Sequence, residues 1–354
     1  MTPNSQAFVF ILAGGSGERF WPLSRKDKPK QLLQLFSNQT LLGDTLKRVQ
    51  NLAPTEQTFI LTNQAQKELT KNLLPTMAES QILAEPAKRD TAPAAALATA
   101  IAYARDPEAV VVLLPSDQLI KNEKAFQQNL QDAIHLAAQS SSIMTLAIPP
   151  TYAATGFGYM ELGEEFITGE TTKFQHVKRF VEKPDLVRAQ DYKEAGNYFW
   201  NAGIFIWKAS TFLKEAQRLC PELAEFVENF PTHSSEAYIE KKFPLLPKIS
   251  IDYALMEKAS SVIAARATFD WDDVGSWSSL ADHLPKDSEM NVQQGTTTLL
   301  DSKNNTIYSP HKHVSLCGVS DLVIVETEDA LLICHKDRVQ DVKKLLPHVP
   351  DHLL

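Results

Sequence analysis

The sequence predicts an α/β protein: a Rossmann-like, mostly parallel sheet over residues 1–290, then a small β-rich domain over residues 291–354. Three observations carry that expectation. Short apolar runs alternate with helical patterns along the first two thirds of the 354 residues. A glycine-rich turn follows the first of those runs directly. Beyond about residue 290 the helical spacing gives way to closely set strand-like runs.

In chain order, Phe8-Val-Phe-Ile-Leu-Ala13 reads as the first strand, and residues 59–62, 81–84, 109–114 and 143–148 as the next four. The run 109–114 is apolar on both faces, as a buried central parallel strand should be. Between these runs, Leu41, Leu42, Thr45, Leu46 and Val49 fall at helical spacing. Residues 91–105 are alanine-rich and helix-favouring, with Pro93 tolerable only in the first turn. Asn122 and Glu123 open a further helix whose apolar face is Phe126, Leu130, Ala133, Ile134 and Ala137. Ligands of such a sheet gather at the carboxyl ends of its strands. After the polar segment 286–295, the runs 296–300, 305–308, 314–317, 322–326 and 330–334 read as strands, with turn signals at 302–305 and Gly318. Residues 337–349 read as a closing amphipathic helix with Val339, Val342, Leu345 and Leu346 on one side.

Bulk properties narrow the function. A pI near 5.6 argues against a nucleic-acid-binding surface. No apolar run approaches the roughly 20 residues that span a bilayer. The opening Met1-Thr-Pro-Asn-Ser-Gln6 lacks the basic region of a secretory signal. Cys220, Cys317 and Cys334 are an odd number without metal-ligand spacing, and they suit a reducing cytoplasm as small buried hydrophobes.

The chemistry starts where the first strand ends. Gly14-Gly-Ser-Gly-Glu-Arg19 can bring its backbone close to an anion, and successive free N–H groups in such a turn form an anion site. Arg19, Arg25, Lys26, Lys28 and Lys30 follow against one acid, Asp27, in a chain whose formal net charge is −8. This local excess of positive charge reads as a site for a ligand with several phosphates. The third glycine of the dinucleotide fingerprint is missing, and no Gly-Lys-Ser/Thr follows. A third kind of phosphate loop remains.

Leu12-Ala-Gly-Gly-Ser-Gly-Glu-Arg19 with Pro29-Lys-Gln31 resembles the signature of the sugar-1-phosphate nucleotidyltransferases. The form Trp21-Pro-Leu-Ser-Arg-Lys-Asp-Lys-Pro-Lys-Gln31 is similar to that of the mannose-1-phosphate guanylyltransferases. Glu18 stands where that family more often has Thr. The resemblance runs in order from Phe8 to about His335. It implies a nucleotidyltransferase domain over 1–290 and a β-helix-like tail that helps a homodimer form.

Further residues could carry the reaction. Asp117 falls just past the end of a central strand, where a divalent-metal ligand or a turn residue would stand. Trp271-Asp-Asp-Val-Gly-Ser-Trp277 offers Asp272 and Asp273, and two acids suffice for magnesium because phosphate oxygens and water complete its sphere. The family pattern Asp-Val-Gly-x-Trp implies Asp273, together with Asp117, as the Mg²⁺ pair. Glu85, followed by Pro86, could accept two charge-assisted bonds from the N1–H and amine edge of guanine. It could also be a surface Glu before a Pro. Arg89 could reach a phosphate or pair with Asp90 or Glu85. Gly158 lies in a glycine-punctuated loop suited to a sugar or simply to a tight turn. The family order marks Glu182 for sugar hydroxyls, Lys183 for the sugar phosphate and Asn201 for the sugar. Asp252 is then either a helix start or a supporting group. His311 and His313 lack an acidic or cysteine partner and read as surface residues.

The implied reaction is GMP transfer from GTP to mannose 1-phosphate, giving GDP-mannose and pyrophosphate. Arg19 and Lys30 would be catalytic with Asp117 and Asp273. Substrate contacts would come from Leu12, Ala13, Gly14, Gly15, Gly17, Arg25, Glu85, Pro86, Gly158, Glu182, Lys183 and Asn201. The expectation is a cytoplasmic enzyme with no nucleic-acid or membrane partner. The same fold with another nucleotide or sugar phosphate, and a non-catalytic sugar-nucleotide regulator, stay open at this point.

Overall fold

The computed structural model describes residues 6–167, 172–233 and 235–354, so the reading of residues 1–5 lies outside it. Contacts divide the chain into two compact units that alternate along the sequence. The first holds the chain up to Gly14, Thr45–Ser116 and Ile120–Trp271; the second holds Gly15–Asp44, Asp117–Leu119 and Asp272–Leu354.

The first unit is built on nine strands: β1 (Ala7–Leu12), β2 (Thr58–Asn63), β3 (Ile82–Glu85), β4 (Val110–Pro115), β5 (Ile143–Ile148), β6 (Gly158–Ile167), β7 (Lys173–Glu182), β8 (Tyr198–Lys208) and β9 (Val262–Arg266). They form one sheet in the order β3-β2-β1-β4-β8-β5-β9-β7-β6. The sheet is parallel where strand and helix alternate, over β3, β2, β1 and β4. Beyond β4 it is mixed. Strand β8 runs antiparallel to both β4 and β5, while β5 and β9 are parallel. Strands β6 and β7 are too close in sequence for a crossover and pair antiparallel.

Alternate residues explain the layering. Phe8, Phe10, Phe59, Leu61, Val111 and Leu113 share one apolar cluster with the helices Thr91–Tyr103, Ala209–Leu219 and Pro221–Glu228. The intervening Ala7, Val9 and Ile11 are equally buried, so both faces of β1 are covered. Pro93 sits in the first turn of its helix, where the missing N–H costs nothing. The helix Glu123–Gln139 starts as expected, with the Asn122 side chain accepting from the Ala125 N–H at 3.2 Å, and it buries the expected face.

The second unit carries a four-stranded sheet of β10 (Val292–Leu300), β11 (Thr306–Cys317), β12 (Leu322–Glu326) and β13 (Leu331–His335), in sequence order. The first three are parallel and β13 is antiparallel to β12. The two runs expected at 305–308 and 314–317 form one strand, β11, because its ladder with β10 jumps from Ser309 to Val314 and bulges over the residues between. The closing helix is not formed as expected. Residues 336–348 are short pieces, Lys336–Asp341, Val342–Leu345 and Leu346–His348, and Pro347 cannot continue an α-helix. Val339 and Val342 are buried, whereas Leu345 is exposed. The cysteines are free, but they are not buried as expected: Cys317 is exposed, and Cys220 and Cys334 are half-buried.

Phe20, Trp21, Leu33, Leu35 and Leu41 share a core with Val323, Val325, Leu332, Val339 and Val342. The cationic segment near the start of the chain is thus packed by the β-rich tail. Among the described residues no helix is long and apolar enough to cross a membrane.

Candidate active site

In the second unit, the loop from Gly15 to Arg19 is fixed by its carbonyls. Gln31 Nε2 donates to Gly15 O at 3.0 Å, and Ser24 Oγ donates to Gly17 O at 2.7 Å. The N–H groups of Gly15 through Arg19 have no protein acceptor among the described residues. A row of free amides on a pinned loop can seat an anion. Gly17 is obligatory for two reasons. Its φ is +61°, and a Cβ there would stand 2.4 Å from Lys30 Cβ and 2.6 Å from Lys30 N. Arg19 adds a buried Nε–H without a partner among the described residues.

Lys30 is 5 % exposed. Its Nζ lies 3.0 Å from Asp117 Oδ2 and 2.6 Å from the carbonyl oxygen of Asp273. A two-way bridge brings these acids to the lysine, Leu119 N to Asp272 O at 2.9 Å and Asp272 N to Leu119 O at 3.1 Å. Asp272 is otherwise engaged: its carboxylate accepts from Val274 N at 2.6 Å and meets His283 Nε2 at 2.9 Å. Val274 follows with φ +46°, an uncommon conformation for a β-branched residue. Burial pushes the Asp273 carboxyl up to about 6, with Lys30 opposing and Asp272 and Asp117 adding to the rise. Asp117 and Asp273 form a hard, all-oxygen donor pair of the kind magnesium takes alongside phosphate oxygens and water. Among the described residues no set of three or more His, Cys, Asp or Glu side chains gathers as a complete metal cage.

Arg25 is drawn to other partners. Its guanidinium donates to Asp329 Oδ1 at 2.7 Å and to Leu353 O at 2.7 Å, and Trp21 Nε1 donates to the same carbonyl at 2.8 Å. A cavity of about 300 Å³ opens beside it, lined by Ser16, Glu18, Ser24, Lys26, Lys343 and Leu354 among others.

The first unit holds the remaining predicted residues. Leu12, Ala13 and Gly14 follow one another at the carboxyl end of β1, and Glu85 with Pro86 lies at the carboxyl end of β3, two strands away in the same parallel block. No donor meets the Glu85 carboxylate among the described residues, and burial pushes its pKa up to about 8. Arg89 pairs with neither Asp90 nor Glu85 and instead donates to the carbonyl of Pro244.

Gly158, Glu182, Lys183 and Asn201 come together. A Cβ on Gly158 would stand 2.5 Å from Glu182 Oε2 and 3.6 Å from Asn201 Cβ. Lys183 Nζ donates to Glu182 Oε1 at 2.6 Å, from a backbone at φ +46°. Asn201 Nδ2 donates to Asp252 Oδ1 at 3.0 Å, and Thr145 Oγ1 donates to Asn201 Oδ1 at 3.1 Å. Asp252 is therefore a supporting group for Asn201. Burial and the Glu182 charge push its carboxyl up to about 6. Sequence reasoning misses Thr145, whose contact with Asn201 spans 56 residues, and His283, which meets Asp272 across 11 residues that form no recognisable motif. His311 and His313 are exposed, as expected.

A family model described as nucleotidyl transferase matches residues 9–289, and one described as a mannose-phosphate isomerase/GMP-like β-helix domain matches residues 295–348. The chain is 39% identical over 348 residues to the mannose-1-phosphate guanylyltransferase RfbM of Salmonella typhimurium, covering 96% of this chain and 71% of that one. It is 37% identical over 343 residues to the alginate biosynthesis protein AlgA of Pseudomonas aeruginosa, covering 95% and 70%. A crystal structure titled mannose-1-phosphate geranyltransferase, from Thermus thermophilus, superposes with a TM-score of 0.87 at 33% identity, covering 97% of this chain and 99% of that one.

Proposed function

The chain belongs to the nucleotidyl transferase family, and on that premise we propose that it transfers GMP from GTP to mannose 1-phosphate, releasing pyrophosphate. The observation that carries the reading beyond the family is the pinned loop with free amides from Gly15 to Arg19, set in the same unit as Lys30, Asp117 and Asp273. Phosphoryl transfer asks mostly for positioning and charge neutralisation. The loop amides, Arg19 and Lys30 would hold the phosphates of GTP and the charge that grows on departing pyrophosphate. Asp117 and Asp273 would hold Mg²⁺, which supplies Lewis-acid polarisation and a template for the phosphates. Glu85 would accept from guanine. Glu182 and Asn201 would bind the sugar hydroxyls, and Lys183 would hold the sugar phosphate as a point charge. The attacking phosphate oxygen is already ionised, so no general base is needed.

The same reading has the reaction run in the cytoplasm and pairs two copies through the β-rich tail, where Leu300, Leu331 and Ile333 are exposed. Light scattering of the full chain tests the pairing. Pyrophosphate release, measured with each of the four nucleoside triphosphates and with mannose 1-phosphate or glucose 1-phosphate, tests the activity. Turnover should require GTP, mannose 1-phosphate and Mg²⁺. Equal rates with UTP or dTTP would remove Glu85 as the base selector. Binding without pyrophosphate release would favour a regulator.

A further inference from the structure

We infer that in the free protein the Lys30 ammonium holds the place of the dication, so that metal enters only with a triphosphate that draws the lysine away. This builds on the reading of Asp117 and Asp273 as metal ligands. The ammonium is a compact cation with three donors. It uses one on Asp117 Oδ2 at 3.0 Å and another on the Asp273 carbonyl at 2.6 Å. A dication bound to the same carboxylate would face that ammonium at a separation where like charges repel strongly. Asp117 can therefore be satisfied by the lysine or by the metal, in turn.

The surroundings suit an exchange. The backbone of Lys30 is fixed: its carbonyl accepts from Leu33 N at 3.0 Å, and Gly17 abuts its N and Cβ. The four-carbon stem can swing while that anchor stays. The free amides of Gly15 to Arg19, in the same unit, offer an anion a seat, and a triphosphate seated there gives the ammonium a new partner. The carboxylate then passes from a monovalent to a divalent cation without being left uncompensated. Metal and nucleotide would bind with positive coupling, each favouring the state the other needs.

Mn²⁺ serves as the probe, with the unbound ion counted by its paramagnetic resonance on the full, nucleotide-free chain. Lys30→Met and Lys30→Gln should each bind Mn²⁺ at least about tenfold tighter than wild type, equivalent to about 1.4 kcal/mol. Adding Asp117→Asn should erase that gain. Unchanged Mn²⁺ affinity in two Lys30 variants that melt like wild type would overturn the exchange. If neither variant folds, wild type decides. Mn²⁺ should bind much tighter with a nonhydrolysable GTP analogue than without it, after subtracting binding to the analogue alone. Equal affinity in the two states overturns the exchange. Asp117→Asn that leaves Mn²⁺ affinity of the analogue-bound protein intact would instead remove the ligand assignment itself, whatever Lys30 does.

Discussion

Two side chains concentrate the chemistry at the residue scale. Lys30 is an ammonium 5 % exposed, and in the proposed reaction its charge would serve the leaving pyrophosphate away from bulk water. Lys30→Ala should lower kcat by an amount equivalent to about 2–4 kcal/mol, by analogy with loss of one oxyanion donor, with a smaller rise in KM for GTP. Steady-state kinetics at saturating mannose 1-phosphate decide this, and near-normal turnover takes Lys30 off the catalytic list. Glu85, pushed up to about 8 by burial, is largely protonated at neutral pH in the free protein. Only its ionised form can accept both guanine donors, so GTP affinity should rise from pH 6 through pH 8 and level off only about one unit above the Glu85 pKa. Glu85→Gln should flatten that profile in calorimetric titrations. For stability the sign is opposite. A carboxyl whose folded pKa exceeds its unfolded value favours the fold below the unfolded value and loses that contribution as pH climbs toward 8. Glu85→Gln should therefore gain melting temperature relative to wild type at pH 8 and little at pH 4, and a constant difference would contradict the assignment.

At the scale of elements, the signature segment is held from two sides. Within the second unit, Trp21 and Arg25 both donate to one carbonyl, that of Leu353, and Arg25 also meets Asp329. Removing residues 351–354 leaves two donors without that acceptor, a loss of about 1–3 kcal/mol for partly buried groups. The shortened chain should show a higher KM for GTP and altered Trp fluorescence, while the first unit's helical circular dichroism is unchanged. Unaltered KM would mean the brace is idle. The strands and long helices of the first unit are legible in the sequence because Val110–Pro115 is a short unbroken apolar run and Glu123–Gln139 carries helical periodicity and a cap. The antiparallel insertion of β8 between β4 and β5 is not, because strand order is a long-range choice that no local pattern records. The tail helix is overread from its spacing: Val339 and Val342 keep the period, but Pro347 withholds the N–H that would extend it. Glycine spacing and clustered cations mark out the loop from Gly15 to Arg19 in the sequence. The hold of Asp329 and Leu353 on Arg25 spans some three hundred residues and leaves no local trace.

Taken as a whole molecule, the chain assigns residues 15–44 and 117–119 to the same compact unit as its last 83 residues, 272–354. Phe20, Trp21 and Leu33 have Val323, Val325 and Leu332 as core neighbours. A fragment ending at residue 290 would strip that core and bare large apolar side chains, each worth about 1.5–3 kcal/mol when buried. Hydrogen exchange should find the hydrogen-bonded amides of residues 20–44 protected in the full chain and nearly unprotected in the fragment, with no pyrophosphate released. Retained protection would show that the segment folds without the tail. Heredity is constrained in the same way. A crossover that trades the last sixty or so codons alone delivers an opening segment packed for a different partner, so the opening signature and the closing strands have to drift in concert.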